Sequence, residues 1–140
     1  MKYLLLLSIL FASIAFADKF EDTLSRAEAG DALAQLILGA MYDEGEGVLE
    51  DYKEAAKWTR AAAEQGDADA QFKLGLLYYL GHGVLEDYIR AHMWFNIASV
   101  NGNDKAGEMR KMVSEDMTSS QIEQAQKMAQ VCLSSDYEDC

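Results

Sequence analysis

The chain has 140 residues, half of them hydrophobic, and its 24 acidic and 12 basic residues give a net charge of −12. This length suits a single domain. The excess of acidic residues argues against nucleic acid and anionic lipid as partners, because both bind proteins through clustered lysine and arginine.

The first 17 residues have the pattern of an export signal. Lys2 supplies a positive start, residues 3–16 are almost wholly apolar, and Ala15-Phe16-Ala17 has the form of a signal-peptidase site. The apolar run is shorter than the roughly 20 residues that a membrane-spanning helix needs. We therefore predict a signal peptide over 1–17, a periplasmic or secreted mature protein, and no membrane contact after cleavage. A retained membrane anchor is the alternative.

Residues 30–65 and 66–101 are two near-copies of one unit. A shift of 36 residues makes 18 of 36 positions identical without a gap. Self-similarity at such a period is typical of solenoids, in which each unit buries its apolar surface against the next.

Each unit is predicted to form two helices joined by a glycine turn. In the first unit, apolar residues recur at helical spacing over 34–42, and Gly45 and Gly47 then end the helix. Asp51 is a suitable N-cap for the second helix, with Glu54 as its capping-box partner. The link to the next unit is only a few residues long, so neighbouring helices should be antiparallel.

Two pairs of repeated residues predict how the helices pack. Gly39 and Gly75 interrupt otherwise good helices, which costs about 1 kcal/mol each relative to Ala. We expect another helix backbone to cross closely at these positions. Trp58 and Trp94 are expected to fill the wedge between successive helix pairs.

Divergent segments flank the two units. Residues 18–29 predict an N-terminal capping helix, and residues 102–140 predict a C-terminal capping helix pair and tail. Thr118-x-x-Gln121 is a capping box that opens the last helix. The last unit lacks the glycines and the tryptophan, as expected of a terminal repeat. The predicted fold is all-α, a solenoid of antiparallel helix pairs.

The repeated pattern resembles a known family. The run Ala-x-x-x-Leu-Gly-x-x-Tyr-x-x-Gly-x-Gly-Val-x-x-Asp, present from Ala34 and again from Ala70, is similar to the Sel-one-like repeat (SLR), a relative of the tetratricopeptide repeat (TPR). The resemblance implies a right-handed α–α superhelix whose concave face serves as a protein scaffold or adaptor, often in the bacterial periplasm. This chain departs from many relatives by carrying Leu49 and Leu85 where they have proline.

The resemblance also supplies an alternative function. Some cysteine-rich relatives have been linked to penicillin binding, which would make this chain a weak hydrolase of cell-wall or β-lactam substrates. Those relatives pair two cysteines within every repeat, whereas neither full repeat here contains one. We therefore predict a scaffold without enzymatic activity, with no catalytic residue and no cofactor.

The candidate binding residues come from the first helix of each unit, which lines the concave side in TPR relatives. Exposed aliphatic side chains bordered by charge would suit a peptide or protein segment of unknown identity. The alternative is that Leu33, Ile37 and Leu76 are partly buried by the stacked neighbour. The predicted residues are Leu33, Ile37, Ala40, Glu44, Asp69, Lys73, Leu76 and Leu80.

Metal binding is not predicted. His82 and His92 are interpreted as histidines of a loop and a helix surface, because two histidines alone do not form a zinc site. The acidic loop 43–47 lacks the spacing of a calcium loop, and Asp51 is better explained as a cap.

The two cysteines, Cys132 and Cys140, lie at the C-terminal end. An even number in an exported chain favours a disulfide between them. Free thiols and an intermolecular bridge are the alternatives. The oligomeric state does not follow from the sequence.

Overall fold

The structure is a computed structural model that describes the backbone of residues 2–140 and the side chains of residues 14–140. Over this range it contains seven helices and no strand. The helices are α1 (Lys2–Glu28), α2 (Ala32–Glu44), α3 (Tyr52–Ala63), α4 (Ala68–Leu80), α5 (Tyr88–Val100), α6 (Ala106–Ser114) and α7 (Ser119–Ser134). The predicted all-α class is confirmed.

The C-terminal part of α1 packs like the second helix of a preceding unit. A Cβ atom added to Gly47 would meet the Phe16 carbonyl, and one added to Gly83 would meet the Tyr52 carbonyl. The two contacts are related by the same 36-residue shift as the repeats. The end of α1 is therefore equivalent to α3 and α5, although the whole helix is longer than the predicted 18–29.

The predicted signal peptide lies mostly outside the described side chains, which begin at Ile14. Within the part that is described, no helix is long and apolar enough to cross a bilayer. After the predicted cleavage point, α1 makes specific contacts with α2 and its turn. Lys19 Nζ lies 3.0 Å from Glu46 Oε1, and the ring of Phe20 packs edge-on against Tyr42.

Side-chain caps fix where the helices begin. Asp51 accepts hydrogen bonds from the backbone N–H groups of Lys53 and Glu54, and Thr118 forms the predicted capping box with Gln121. The capping box predicted for α3 is wrong. The Asp51 N–H that the box requires donates instead to the Tyr42 carbonyl at 2.9 Å, and the Glu54 carboxylate pairs with Lys57 Nζ at 2.9 Å.

The two helical glycines allow close packing, but against different groups. A Cβ at Gly39 would lie 3.1 Å from the Ala55 carbonyl oxygen and closer still to Thr59 Oγ1. The predicted backbone crossing is therefore present at Gly39. At Gly75 the neighbour is the ring of Phe95, so the prediction of a backbone crossing is wrong there. An aromatic ring fills the position that a threonine takes in the first unit.

The buried side chains form two clusters of unequal size. The main core lies around α5, whose Trp94, Phe95 and Ile97 are completely buried between α4 and the terminal helices. Among the side chains of residues 14–140, the N-terminal cluster has only Ala27, Ala34 and Leu38 as buried members. Partly buried Phe20, Leu24, Tyr42 and Trp58 pack against it. Trp58 is thus less buried than Trp94, because α6 and α7 cover only the second unit.

A polar ladder joins successive units. In each full repeat a buried glutamine of the first helix donates to a carbonyl near the end of the preceding helix and accepts from an amide at the end of its own unit. The bonds are Gln35 Nε2 to Ala27 O (3.1 Å), Gln65 Nε2 to Gln35 Oε1 (2.7 Å), Gln71 Nε2 to Ala63 O (3.0 Å) and Asn101 Nδ2 to Gln71 Oε1 (2.8 Å). The two buried glutamines thereby have partners for both their donor and their acceptor atoms, and the ladder links each unit to the helix before it.

The C-terminal tail folds back onto the second unit. Cys132 and Cys140 lie at disulfide-bonding distance, with their Cα atoms 4.7 Å apart. Between them, the Tyr137 hydroxyl accepts a hydrogen bond from Asn101 Nδ2 at 2.8 Å, and its ring lies beside Gly66. The tail therefore continues the polar ladder at the junction between the two repeats.

Candidate functional site

The groove face is the set of eight residues predicted on the first helices of the units, α2 and α4. Five members are exposed, with Leu33 56% and Leu80 53% accessible. The exposed members are Leu33, Ile37, Glu44, Asp69 and Leu80, and the half-buried ones are Ala40, Lys73 and Leu76. Leu33 and Ile37 keep 56% and 36% of their surface exposed, and Leu76 packs against the main core.

Two polar members of the groove face are held by neighbouring helices. Lys73 Nζ lies 2.6 Å from Asp43 Oδ2, which joins α4 to α2. Asp69 Oδ1 accepts from Asn103 Nδ2 at 2.9 Å, which joins α4 to the segment before α6. These contacts align the first helices side by side. They also leave the exposed aliphatic side chains as the groups free to meet a partner.

The sequence reasoning missed one residue of this face. Met112 on α6 is 45% exposed. It follows Leu76 by 36 residues, so it takes the equivalent position in the terminal unit. Extending the repeat alignment by one more unit would have identified it.

The two histidines differ in their surroundings. His82 is exposed and stacks on Tyr52, with ring centroids 5.2 Å apart. His92 was predicted to be a surface residue, and this is wrong, because α6 and α7 cover its side of α5 and leave it 3% exposed. Burial, and secondly the Arg110 guanidinium, lowers the pKa of His92 below its ordinary value of 6.5.

The acidic loop after α2 is occupied by structural contacts. Glu46 pairs with Lys19, and Asp51 caps α3 as predicted. Among the residues with described side chains, no three histidine, cysteine or acidic groups converge in a way that could hold a metal ion. The most exposed apolar residues of this region are the turn residues Leu49 and Leu85, at 88% and 90%.

Comparison with known proteins identifies the repeated unit. The Sel1 repeat family matches residues 32–67 and 68–103, which is about half of the chain. The matched units have the same period as the predicted ones and begin two residues later. No curated protein matches the chain.

Two solved structures are similar to this chain. One is c5321, described as a protective antigen present in uropathogenic Escherichia coli strains displaying an SLR fold, with 36% identity, a TM-score of 0.82 and coverage of 86% of this chain and 27% of the other. The second is a Sel1 repeat protein from Oxalobacter formigenes, with 39% identity, a TM-score of 0.67 and coverage of 69% and 28%.

This chain therefore spans less than a third of either solved relative. The SLR fold of c5321 and the seven helices found over residues 2–140 agree with the predicted TPR-like solenoid. Neither match supports the hydrolase alternative. Sel1 repeats generally mediate protein–protein interaction, and this chain belongs to the Sel1 repeat family.

Proposed function

We propose that the protein is an exported scaffold that binds a segment of another protein across its groove face. The observation that carries the proposal is the exposure of Leu33, Ile37 and Leu80 on the first helices of successive units. Aliphatic side chains left in water on the first helices of both units suit the apolar face of a peptide or helix. The half-buried Leu76 and the exposed Met112 add apolar side chains at one repeat-related position.

The charge of the molecule restricts the partner. The groove face contains the carboxylates of Glu44 and Asp69, and the chain as a whole has a net charge of −12. Its single cation, Lys73, is already paired with Asp43. A partner segment that combines apolar and basic residues would therefore associate faster than an acidic one.

Export is part of the proposal. The contacts of Lys19 and Phe20 lie beyond the predicted cleavage point at Ala17, so the mature chain would keep them. The pair Cys132 and Cys140 at disulfide distance is compatible with an oxidising compartment. N-terminal sequencing of the protein recovered from periplasm and medium would test this, and an intact Met1 in both fractions would contradict it.

The binding test uses exposed members of the groove face, because changing Lys73 would also break its link to α2. Purified protein immobilised on a resin should capture a partner from an envelope extract. Ile37→Asp and Leu80→Asp should each weaken capture at least about tenfold, as expected when a charge enters the apolar centre of an interface. Peptides from the captured protein then provide a measurable dissociation constant.

The turn residue Leu49 gives the matched control. It is more exposed than either groove residue, so Leu49→Asp introduces the same charge outside the groove face. The control should retain the partner, and all three variants should keep the helical circular dichroism of the parent. If Ile37→Asp and Leu80→Asp bind as well as Leu49→Asp does, the groove face is not the binding surface.

A further inference from the structure

A second site lies where the terminal unit departs from the repeat. A cavity of about 420 Å³ opens between α5, α6 and α7. Its walls include Arg110 and Lys111 of α6, His92 and Asn96 of α5, and Gln126 of α7. No acidic side chain lines it in the described part of the chain, although acidic residues outnumber basic ones two to one in the sequence.

The repeat alignment shows what has changed at this place. Arg110 follows Leu74 by 36 residues, and Leu74 follows Leu38 by the same interval. Both leucines are completely buried in their units. The terminal unit therefore has a guanidinium at a position where the full repeats have a core leucine, and His92 likewise takes the position of the small buried Ala56.

The polar groups of the cavity are only partly satisfied. Arg110 Nη1 donates to Asn96 Oδ1 at 2.5 Å, which orients the guanidinium without neutralising it. Over residues 14–140, no carboxylate lies within ion-pair distance of Arg110 or Lys111. The Nδ1 atom of His92 is buried and has no hydrogen-bond partner within that range. A buried polar atom without a partner needs an explanation, and a bound ligand group is one.

We propose that this cavity binds a carboxylate, with Arg110 as the principal contact and His92 Nδ1 as a second donor. The planar guanidinium matches the two oxygens of a carboxylate. The neutral imidazole can present an N–H at Nδ1 towards the same group. Phosphate is a poorer match, because one partly engaged guanidinium and one lysine leave most of its oxygens without donors.

The carboxylate has two chemical sources, the C-terminus of a peptide or a small free acid. None of the residues named for the cavity belongs to the groove face. The proposal therefore does not depend on the scaffold function, and either can fail alone. The cavity would give the terminal unit a ligand of its own rather than only a capping role.

The two histidines of the chain make nuclear magnetic resonance a direct test. The purified protein is titrated with sodium succinate, with N-acetyl-tetra-alanine, with its C-terminal amide, and with inorganic phosphate. Succinate or the free peptide acid should shift the His92 ring signals and raise its pKa, because the bound negative charge opposes that of Arg110. The signals of the exposed His82 should not move.

Variants that restore the repeat residues separate binding from folding. Arg110→Leu supplies the leucine of the full repeats, so it should fold at least as stably as the parent and bind the carboxylate at least about tenfold more weakly. Arg110→Lys keeps the charge but loses the planar guanidinium with its two parallel N–H donors, so this variant should also bind the carboxylate more weakly. Lys53→Leu removes an exposed cation of α3 and should leave the affinity unchanged.

The outcomes divide clearly. Binding of succinate alone identifies a free acid, and binding of the peptide acid but not its amide identifies a C-terminus; both support the site. The proposal is overturned if neither carboxylate shifts His92, if phosphate binds in their place, or if Arg110→Leu retains full affinity.

Discussion

Gly83 lies in the turn after α4, at the point where this turn passes the start of α3. Its φ is +70°, and a Cβ atom there would overlap the carbonyl group of Tyr52. Gly83→Ala should therefore lower the free energy of unfolding by more than about 2 kcal/mol, because steric overlap with a backbone adds to the roughly 1 kcal/mol of left-handed strain. Urea denaturation measures the loss.

Gly45 provides the control for that substitution. Its φ of +68° is nearly the same, but the nearest atoms to an added Cβ are 3.5 Å away, which is ordinary contact. Gly45→Ala should cost only the backbone strain, about 1 kcal/mol. Equal losses for the two variants would mean that the turn moves away from α3 at no cost.

His92 should make the stability depend on pH. Because its pKa is lowered in the fold, chiefly by burial, the unfolded chain takes up the proton first. The contribution of neutral His92 to the free energy of unfolding should be fully present above pH 6.5. It should decrease as the pH falls below this value towards the pKa of the folded state. Arg110 on α6 faces the imidazole and opposes its protonation, and Lys111 lines the same cavity.

Urea denaturation at a series of pH values tests this dependence. His92→Ala should flatten the curve just below pH 6.5, whereas replacement of the exposed His82 should not. A parent curve that is already flat in this window would contradict the burial of His92.

The burial of His92 illustrates what single residues reveal before a structure is known. Its helix was predictable from periodicity, but its exposure depends on which side of α5 the terminal helices cover, and the sequence of α5 does not specify this. A hint was present in the alignment of the units, where His92 corresponds to Ala56, itself 5% exposed. The capping box predicted for Glu54 is wrong for a similar reason. Several groups lie within reach of its carboxylate, and the sequence does not show which of them it contacts.

At the scale of the elements, the glutamine ladder is the feature that joins one helix pair to the next. Gln71 is completely buried and bonds both to the Ala63 carbonyl and to the amide of Asn101. Gln71→Leu should destabilise the protein by about 1 to 3 kcal/mol, because it leaves buried polar groups without their partner. Thermal and urea denaturation measure the effect.

Gln130 of α7 gives a comparison for this substitution. It is exposed, so Gln130→Leu should change stability by no more than about 0.5 kcal/mol. If Gln71→Leu changed stability as little as Gln130→Leu, the ladder would be only a consequence of helix packing and would not contribute to stability.

The helices themselves were predictable because their signals are local. The apolar spacing, the turn glycines and the aspartate caps at Asp51 and Asp87 act within a few residues. The ladder was not predictable from one unit, since Gln71 meets partners 8 residues before it and 30 residues after it in the chain. The groove face was predicted by its helical spacing, but the exposure of its members depends on how the neighbouring unit packs.

For the whole molecule, the unequal clusters imply unequal local stability. The main core around α5 has large, completely buried side chains, whereas Leu38 is the only large buried member of the N-terminal cluster among the side chains that the structure describes. In a solenoid each unit contacts only its neighbours, so the ends can open separately. Hydrogen exchange should therefore be slowest in α5 and faster in α2 and in the part of α1 after Lys19.

Two leucines at equivalent positions make this prediction specific. Leu38 and Leu74 are both completely buried, in the N-terminal cluster and the main core respectively. Each substitution by alanine should cost about 2 to 5 kcal/mol locally. Leu38→Ala should speed exchange mainly in α1 and α2, and Leu74→Ala should speed it from α3 to α7. Equal acceleration throughout by both variants would show that the chain unfolds as one unit.

The same gradient connects stability with binding. Leu33 and Ile37 lie on α2, in the less stable half, so a partner on the groove face would order the region that opens most easily. At a partner concentration 100 times the dissociation constant, the stabilisation is about 2.7 kcal/mol. Exchange in α2 should slow accordingly, because its local opening would release the partner, and exchange through global unfolding in α5 should slow by the same factor. If α5 slows while α2 does not, the local opening of α2 does not release the partner, and the partner is bound elsewhere.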